Sequence, residues 1–356
     1  MIKVLIADDS PSIAAMMRDL LSRDPEIEVV GWAKTGREAV DLRNSLNPDV
    51  MTMDLNMPLM GGLEATKIIA SSRPVPILVV SQLIESRDSE VAFEALRCGA
   101  IDVMGKPSGA GPQGLSQIGE ELIFRVKAVA HVHPMRLVNK PVAQAAPPPI
   151  AEINRPPRPA VVVIGASTGG PPALAKILKA MPSYFPVPIA IVQHIAPGFV
   201  AGLRQWLERE CPLPVKLGVH GVPLRNGNVY LAPDNHHLEI GAGKKFALID
   251  SPPLQGHRPA VDRLMESAAQ IYGPNAIGVL LTGMGRDGAQ GLKKIREAGG
   301  WTIVQDEASS LVFGMPREAV LAGAAGVVSP LEKIADEIVQ AAFPREEGKT
   351  TWPQKS

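Results

Sequence analysis

Three residues with the chemistry of a nucleophile, a base and an orienting acid stand in separate stretches of the chain. They are Ser167 in Gly-Ala-Ser-Thr-Gly (165–169), His194 in Val-Gln-His-Ile-Ala-Pro-Gly-Phe (192–199) and Asp287 in Thr-Gly-Met-Gly-Arg-Asp-Gly (282–288). A serine hydroxyl attacks well only when a base takes its proton, and an imidazole can do so near neutral pH if a carboxylate fixes its tautomer. Gly165 and Gly169 flank Ser167 with the spacing of a nucleophile elbow, where small neighbours permit a sharp strand-to-helix turn and leave backbone N–H groups free to hold an oxyanion. A glycine-rich turn after a strand also cradles phosphate. The full dinucleotide spacing is missing here, however, and no acid ends the next strand, Ile189 to His194. His194 alone would equally be a hydrogen-bonded structural histidine, and Asp287 alone would suit the cap of a helix over Ala289 to Ala298. An ordinary α/β-hydrolase order would need a late histidine, drawing on His257 with Asp234 or Asp250. His257 lies in Pro-Pro-Leu-Gln-Gly-His-Arg-Pro (252–259), with no strand to hold it, so the order Ser167, His194, Asp287 fits better.

A second group has a different chemistry. Asp8 and Asp9 follow the first strand, Asp54 ends the third, Ser81 ends the fourth, and Lys106 with Pro107 follows the fifth. Clustered carboxylates suit a hard divalent cation such as magnesium, and Asp54 is then a nucleophile for a phosphoryl group that Lys106 and Ser81 would contact. Any one of these acids alone would be an ordinary cap or solvated turn. Five such residues at the ends of four strands are harder to explain that way.

The elements that must hold these groups are legible as apolar runs. Ile2 to Ala7, Val29 to Ala33, Val50 to Met53, Ile77 to Val80 and Ile101 to Met104 read as five strands alternating with helical patterns. That alternation implies a parallel sheet covered on both faces, a flavodoxin-like α/β fold with its site at the carboxyl ends of the strands. Pro134 to Pro159 is rich in Pro, Ala and Val and reads as an extended linker. A second α/β series follows with Val161 to Ile164, Ile189 to Val192, Ile277 to Leu281 and Trp301 to Val304, and with a helix over Val261 to Ile271. Between Pro214 and Asp250 strands succeed one another without helices, so the second domain is read as doubly wound α/β with a hairpin-rich insertion. No internal repeat relates the halves.

The totals exclude several classes. The 356 residues suit two domains, and 36 basic side chains balance 36 acidic ones, so no net charge draws nucleic acid. No helix-turn-helix follows the linker. Cys98 and Cys211 lack metal-ligand spacing and read as ordinary thiols of a reducing compartment. No signal peptide or membrane-spanning apolar run is visible, so a cytoplasmic protein without membrane insertion is expected.

With these residues in view, residues 1 to 125 resemble the response-regulator receiver family, and Pro58, Gly61 and Gly62 after Asp54 fit that pattern. Position 103 is Val where many receivers carry an aromatic switch residue. Residues 161 to 345 resemble the catalytic domain of the chemotaxis protein-glutamate methylesterase family. The resemblance rests on Gly-Ala-Ser-Thr-Gly-Gly (165–170), Gln-His (193–194), Thr-Gly-Met-Gly-Arg-Asp-Gly-Ala (282–289) and Phe-Gly-Met-Pro-Arg-Glu-Ala (313–319). Ala-Pro-Asp-Asn-His-His-Leu (232–238) departs from the family's more usual glycine after the proline. The organisation expected is a receiver at 1–125, a linker at 126–159, a catalytic domain at 160–345 and a polar tail at 346–356. The resemblance implies Ser167, His194 and Asp287 as the triad, with Thr168 and Met284 beside it and the Met284 amide a candidate oxyanion donor. It also implies hydrolysis of glutamyl methyl esters on chemoreceptors, glutamine deamidation at the same site, and phosphate received on Asp54 from a histidine kinase. Magnesium would serve the phosphorylation and no cofactor the esterase, with the receiver restraining the hydrolase until Asp54 is phosphorylated. The same chemistry in a nonchemotactic pathway, or a catalytically silent phospho-dependent scaffold, are the competing readings.

Overall fold

A computed structural model describes residues 1–82, 86–106, 111–132 and 159–343. Pro107, most of the expected linker and the expected tail lie outside the described residues. The chain forms two compact units, each taken by itself.

In the first, β1 (Ile2–Ala7), α1 (Pro11–Leu21), β2 (Ile27–Ala33), α2 (Gly36–Leu46), β3 (Val50–Met53), α3 (Gly62–Ser72), β4 (Ile77–Ser81), α4 (Ser86–Arg97), β5 (Asp102–Gly105) and α5 (Gly111–Ala130) alternate along the chain. The strands make a parallel sheet of order β2-β1-β3-β4-β5. β3 and β4 are buried at every position, as strands covered on both faces must be. Local chemistry starts and stops the helices. Thr35 Oγ1 accepts from Glu38 N at 3.1 Å while Glu38 reaches back to Lys34 N at 2.8 Å, and Asn47, with φ 48°, ends α2 in the left-handed region. α5 continues past residue 125, where the linker was expected to begin. Beside Val103, Arg125 of α5 donates to Asp102 Oδ2 at 2.6 Å and to Val103 O at 3.2 Å. A buried ion pair thus pins β5 to α5 where an aromatic side chain was missing from the pattern.

From residue 160 on, the chain forms β6 (Val161–Ala166), α6 (Gly170–Lys179), β7 (Ile189–Gln193), α7 (Val200–Glu210), β8 (Val215–Leu217), β9 (Val229–Leu231), β10 (His237–Gly241), β11 (Lys245–Ile249), α8 (Val261–Tyr272), β12 (Ala276–Leu280), α9 (Ala289–Glu297), β13 (Trp301–Gln305), α10 (Met315–Leu321), β14 (Val327–Ser329) and α11 (Leu331–Ala342), all in the second unit except residues 195–206, which group with the first. Seven strands form one parallel sheet, β14-β13-β12-β6-β7-β9-β8. From β6 the chain moves outward to β7, then to the edge strand β8 and back to β9 between them, and on the other side it runs outward from β12 through β13 to β14. The β6–β12 boundary is therefore the topological switch point, where open α/β sheets keep their crevice. The segment expected to be hairpin-rich holds one hairpin, β10–β11. β8 and β9 instead pair in parallel and extend the main sheet, because β9 continues its edge beside β7. β6, β7, β12 and β13 are buried throughout, and Val161 and Val163 share a core with Leu264, Met265 and Ala268 of α8.

Candidate active site

Strand register brings the residues of the second unit together. Ala166 pairs with Gln193 across β6 and β7, so His194, one residue on, donates its backbone N–H to Ala166 O at 2.9 Å. Gly165 pairs with Leu280 across β6 and β12, and Ser167 N donates to Thr282 O at 3.0 Å. Ser167 therefore sits between the ends of β7 and β12 at the switch point. The turn after it closes through Gly170 N to Ser167 O at 2.8 Å, and Gly169, with φ 74°, supplies the left-handed step that starts α6. The strain falls on Gly169; Ser167 keeps a negative φ.

His194 Nε2 lies 2.8 Å from Asp287 Oδ2, both side chains buried. The other ring nitrogen, Nδ1, is buried without a hydrogen-bond partner. With Nε2 as donor to the carboxylate, Nδ1 keeps its lone pair, which is the form a general base requires. Gly283 passes directly beside the serine: a Cβ built there would stand 2.7 Å from Ser167 Cβ and 3.0 Å from Ser167 N. That approach brings the backbone leading into Met284 next to Ser167 Cβ, while the Met284 side chain is exposed. Thr168 is buried, and its carbonyl accepts from Thr282 Oγ1 at 3.0 Å.

Asp287 is a helix cap, though of a helix other than the expected one. Its Oδ2 accepts from Val261 N at 2.7 Å and its Oδ1 from Asp262 N at 2.9 Å, so it caps α8 rather than the α9 that follows it. Asp262 returns the arrangement: its Oδ1 accepts from Gly288 N at 2.9 Å and Gly291 N at 2.7 Å at the start of α9. Neither helix has a capping side chain of its own, Ala260 and Gly288 being the local caps. Each such charge-assisted bond is worth about 1.5–3 kcal/mol, so this exchange fixes both helix starts and the carboxylate facing His194. The two acids differ in proton affinity. Burial works to raise Asp287, but the hydrogen bond and charge of His194 and the amides of Asp262 and Val261 hold it below the ordinary carboxylate value. Asp262 is pushed up to about 6, first by burial and then by the negative charges of Asp287 and Glu266, against the amides of Gly291 and Gly288.

Gln193, Thr282, Gln305 and Asp262 are participants that sequence reasoning gave no role. Gln193 Nε2 donates to Ser167 O at 2.8 Å and His194 O at 2.9 Å, tying nucleophile and base segments together. Thr282 N donates to Gln305 Oε1 at 2.8 Å, and Gln305 Nε2 to Ser309 O at 2.7 Å. The Gln-His pair at the end of β7 is one of the family-like blocks, and that strand-end position is the signal for Gln193. The departure at 232–238 has a local resolution: the positive φ falls on Asn235, at 60°, a residue type that tolerates it. His257, in the loop between β11 and α8, stacks on His194 with ring centroids 3.8 Å apart. Asp234 and Asp250 make other contacts: Asp234 O lies 3.1 Å from His236 Nδ1, and Asp250 pairs with Arg258 at 2.9 Å.

In the first unit, Ala7 pairs with Met53, which sets Asp8 and Asp54 on neighbouring strand ends, and Ser81 pairs with Gly105, followed by Lys106. Lys106 Nζ reaches Asp8 Oδ2 at 2.7 Å and Asp54 Oδ2 at 2.8 Å. Carboxylate oxygens of Asp8, Asp9 and Asp54 lie within 4.8 Å of one another, with Asp9 exposed and the others buried. Burial raises Asp54 despite Lys106; burial lowers Lys106, but the two carboxylates outweigh it and hold the ammonium above its ordinary value. The Ser81 hydroxyl is buried without a partner. A Cβ on Gly62 would collide with Asp54 O, so glycine there lets α3 begin directly under the acid. An all-oxygen donor set with one exposed member fits magnesium, which binds through one or two carboxylates and keeps several waters.

Comparison with known proteins agrees with both halves. The profile of the family described as CheB methylesterase matches residues 162–338, and that of the response regulator receiver domain matches residues 4–114. A Myxococcus xanthus protein named protein-glutamate methylesterase/protein-glutamine glutaminase 4 is 42% identical over 96% of this chain and 97% of its own. One of the same name from Syntrophus aciditrophicus, numbered 1, is 43% identical over 96% and 99%. The crystal structure of the Thermotoga maritima CheB methylesterase catalytic domain, 40% identical, superimposes with a TM-score of 0.50 on 51% of this chain and 98% of that one. No described helix is long and apolar enough to cross a membrane. The chain belongs to the protein-glutamate methylesterase/protein-glutamine glutaminase family, an enzyme with a response-regulator receiver preceding a CheB methylesterase domain.

Proposed function

We propose that this chain hydrolyses glutamyl γ-methyl esters on chemoreceptors through Ser167, His194 and Asp287, and that phosphorylation of Asp54 raises that activity. The observation that carries the catalytic reading is the buried His194 Nε2 to Asp287 Oδ2 contact of 2.8 Å with Nδ1 left unpartnered, at the strand end beside Ser167. In this reading His194 Nδ1 takes the Ser167 proton as Oγ attacks the ester carbonyl, and Asp287 stabilises the imidazolium. The proton passes to the methoxide leaving group, and methanol departs. Water then attacks the acyl-serine, His194 taking its proton and returning it to Ser167 Oγ, which leaves free glutamate and the resting serine. Backbone amides at Thr168 and Met284 are the proposed oxyanion donors. A glutamine side chain would follow the same course with ammonia leaving, and the names of the relatives include that activity.

The proposed phosphodonor is a histidine kinase associated with the receptors. Asp8, Asp9 and Asp54 would hold a magnesium ion, which when bound neutralises phosphoryl charge. Asp54 is the proposed acceptor. Lys106, released from its carboxylates, would pair with the phosphoryl oxygens, and the Ser81 hydroxyl would bond one of them. An enzyme opposing receptor methylation has to follow kinase activity, which favours a positive effect of phosphorylation. The test is methanol release from methylated receptor membranes by the full chain, with and without a small phosphodonor and magnesium. Stimulation is expected in the unsubstituted protein and absent in Asp54→Asn; equal stimulation of both would contradict the regulatory reading.

A further inference from the structure

His257 stands in the loop between β11 and α8, yet its imidazole lies flat on that of His194, with centroids 3.8 Å and planes 7° apart. The loop is fastened at several points. Leu254 and His257 exchange backbone hydrogen bonds of 3.0 and 2.9 Å, and Arg258 reaches Asp250 Oδ1 at 2.9 Å and Ser251 O at 3.2 Å. Gln255 Nε2 donates to Asp262 Oδ2 at 3.0 Å while its Oε1 accepts from Arg286 Nε at 3.3 Å. The loop is thereby tied to the start of α8 and to the turn before α9, the two segments that also hold Asp287.

The hydrogen bond to Asp287 fixes the Nε2 edge of the buried His194 ring but does not by itself set the plane of the ring. The unpartnered Nδ1 adds no second restraint. A flat ring in contact with the face of the imidazole supplies what is missing. We propose that His257 is a positioning residue for hydrolysis, holding the plane of His194 by stacking so that Nδ1 stays turned toward the Ser167 hydroxyl. The inference rests on the reading of Ser167, His194 and Asp287 given above. Stacking has a second consequence: when His194 takes the serine proton, its positive charge forms against a π face, an attractive arrangement for a cation. Small errors in the placement of a catalytic group cost up to about a hundredfold in rate, so a ring that merely wobbles should show in kcat.

The test compares His257→Phe, which keeps a flat ring without titratable nitrogens, with His257→Leu, which keeps only bulk. Both are made in the full chain and assayed for methanol release from methylated receptor membranes with phosphodonor and magnesium. His257→Leu is expected to lower kcat roughly tenfold with KM held within about twofold, and His257→Phe to stay within about threefold of the unsubstituted enzyme. If His257→Leu unfolds the chain, His257→Met replaces it as the non-planar filler. Unsubstituted rates in both variants would overturn the proposal. So would equal losses in both with a raised KM, because a ring nitrogen would then be touching substrate. His194→Gln separates this result from the reading beneath it: full activity there removes His194 as the base, whereas an inactive His194→Gln beside a fully active His257→Leu removes only the stacking role.

Discussion

The two sites of this chain share an address and differ in construction. Both lie at the carboxyl ends of parallel strands, but Asp54 is held mainly by the charge of Lys106, whereas Asp287 is held by two backbone amides as well as by His194. Lys106 bridges Asp8 and Asp54 at 2.7 and 2.8 Å, a pairing that an incoming phosphoryl group and cation would have to displace. Asp287 takes two amides at the start of α8 while Asp262 takes two at the start of α9, an exchange that no substrate needs to break. A site that must change state is well served by ion pairs that can be exchanged. One that repeats the same proton transfer at every turnover is better served by bonds built into helix ends, because preorganised groups need no rearrangement at the moment of reaction.

The comparison breaks most sharply at the acids themselves. Asp54→Asn is expected to reduce acyl-phosphate labelling by a small phosphodonor to background, and excess chelator to do nearly the same to the unsubstituted chain; mass measurement of the intact protein checks both. Undiminished labelling with chelator present would remove the cation from the first site. Asp287→Asn should lower kcat by roughly 10³–10⁴-fold, the scale seen when the acid of a serine-protease triad is replaced. Methanol release at near-wild-type rates would remove Asp287 from the second site. Gly283→Ala should cost about a hundredfold in kcat, because its Cβ would stand 2.7 Å from Ser167 Cβ and displace the nucleophile.

The smallest effect concerns stability. Burial and neighbouring negative charge push the Asp262 pKa up to about 6 from the ordinary 3.8, so the folded chain binds this proton more tightly than the unfolded one. Its contribution is fully present below about pH 4 and is lost as pH rises through about 6. Asp262→Asn keeps an oxygen to accept from Gly288 and Gly291 but cannot ionise. Between pH 4 and 7 the variant should therefore gain on the unsubstituted chain by on the order of 1–3 kcal/mol in urea unfolding. A constant difference across that range would mean that Asp262 is ionised throughout.

Much of this was legible in the sequence where chemistry sits next to a strand end. Asp8, Asp54, Ser81 and Lys106 end or follow mostly apolar strands, and so do Ser167 and His194, which makes their placement a consequence of strand register. Asp262 could not be found that way: an acid in the first turn of a helix is ordinary, and only the fold brings α9 to it. Which helix Asp287 caps was hidden for the same reason, since the nearer helix start in sequence is not the nearer one in space. β8 and β9 span three residues each, too few for periodicity to separate a hairpin from parallel edge strands. His257 had no strand to hold it; the bonds that fix its loop come from Asp262 and Arg286, which are joined to it only in the folded chain.

The most direct test is Ser167→Ala in the full chain, read out twice on one preparation: methanol released from methylated receptor membranes, and acyl-phosphate formed on Asp54 with phosphodonor and magnesium. The account predicts a loss of methanol release of at least about 10³-fold with labelling of Asp54 unchanged. Comparable methanol release by Ser167→Ala would contradict the assignment of the nucleophile, and loss of labelling alongside it would contradict the division of the chemistry between two sites.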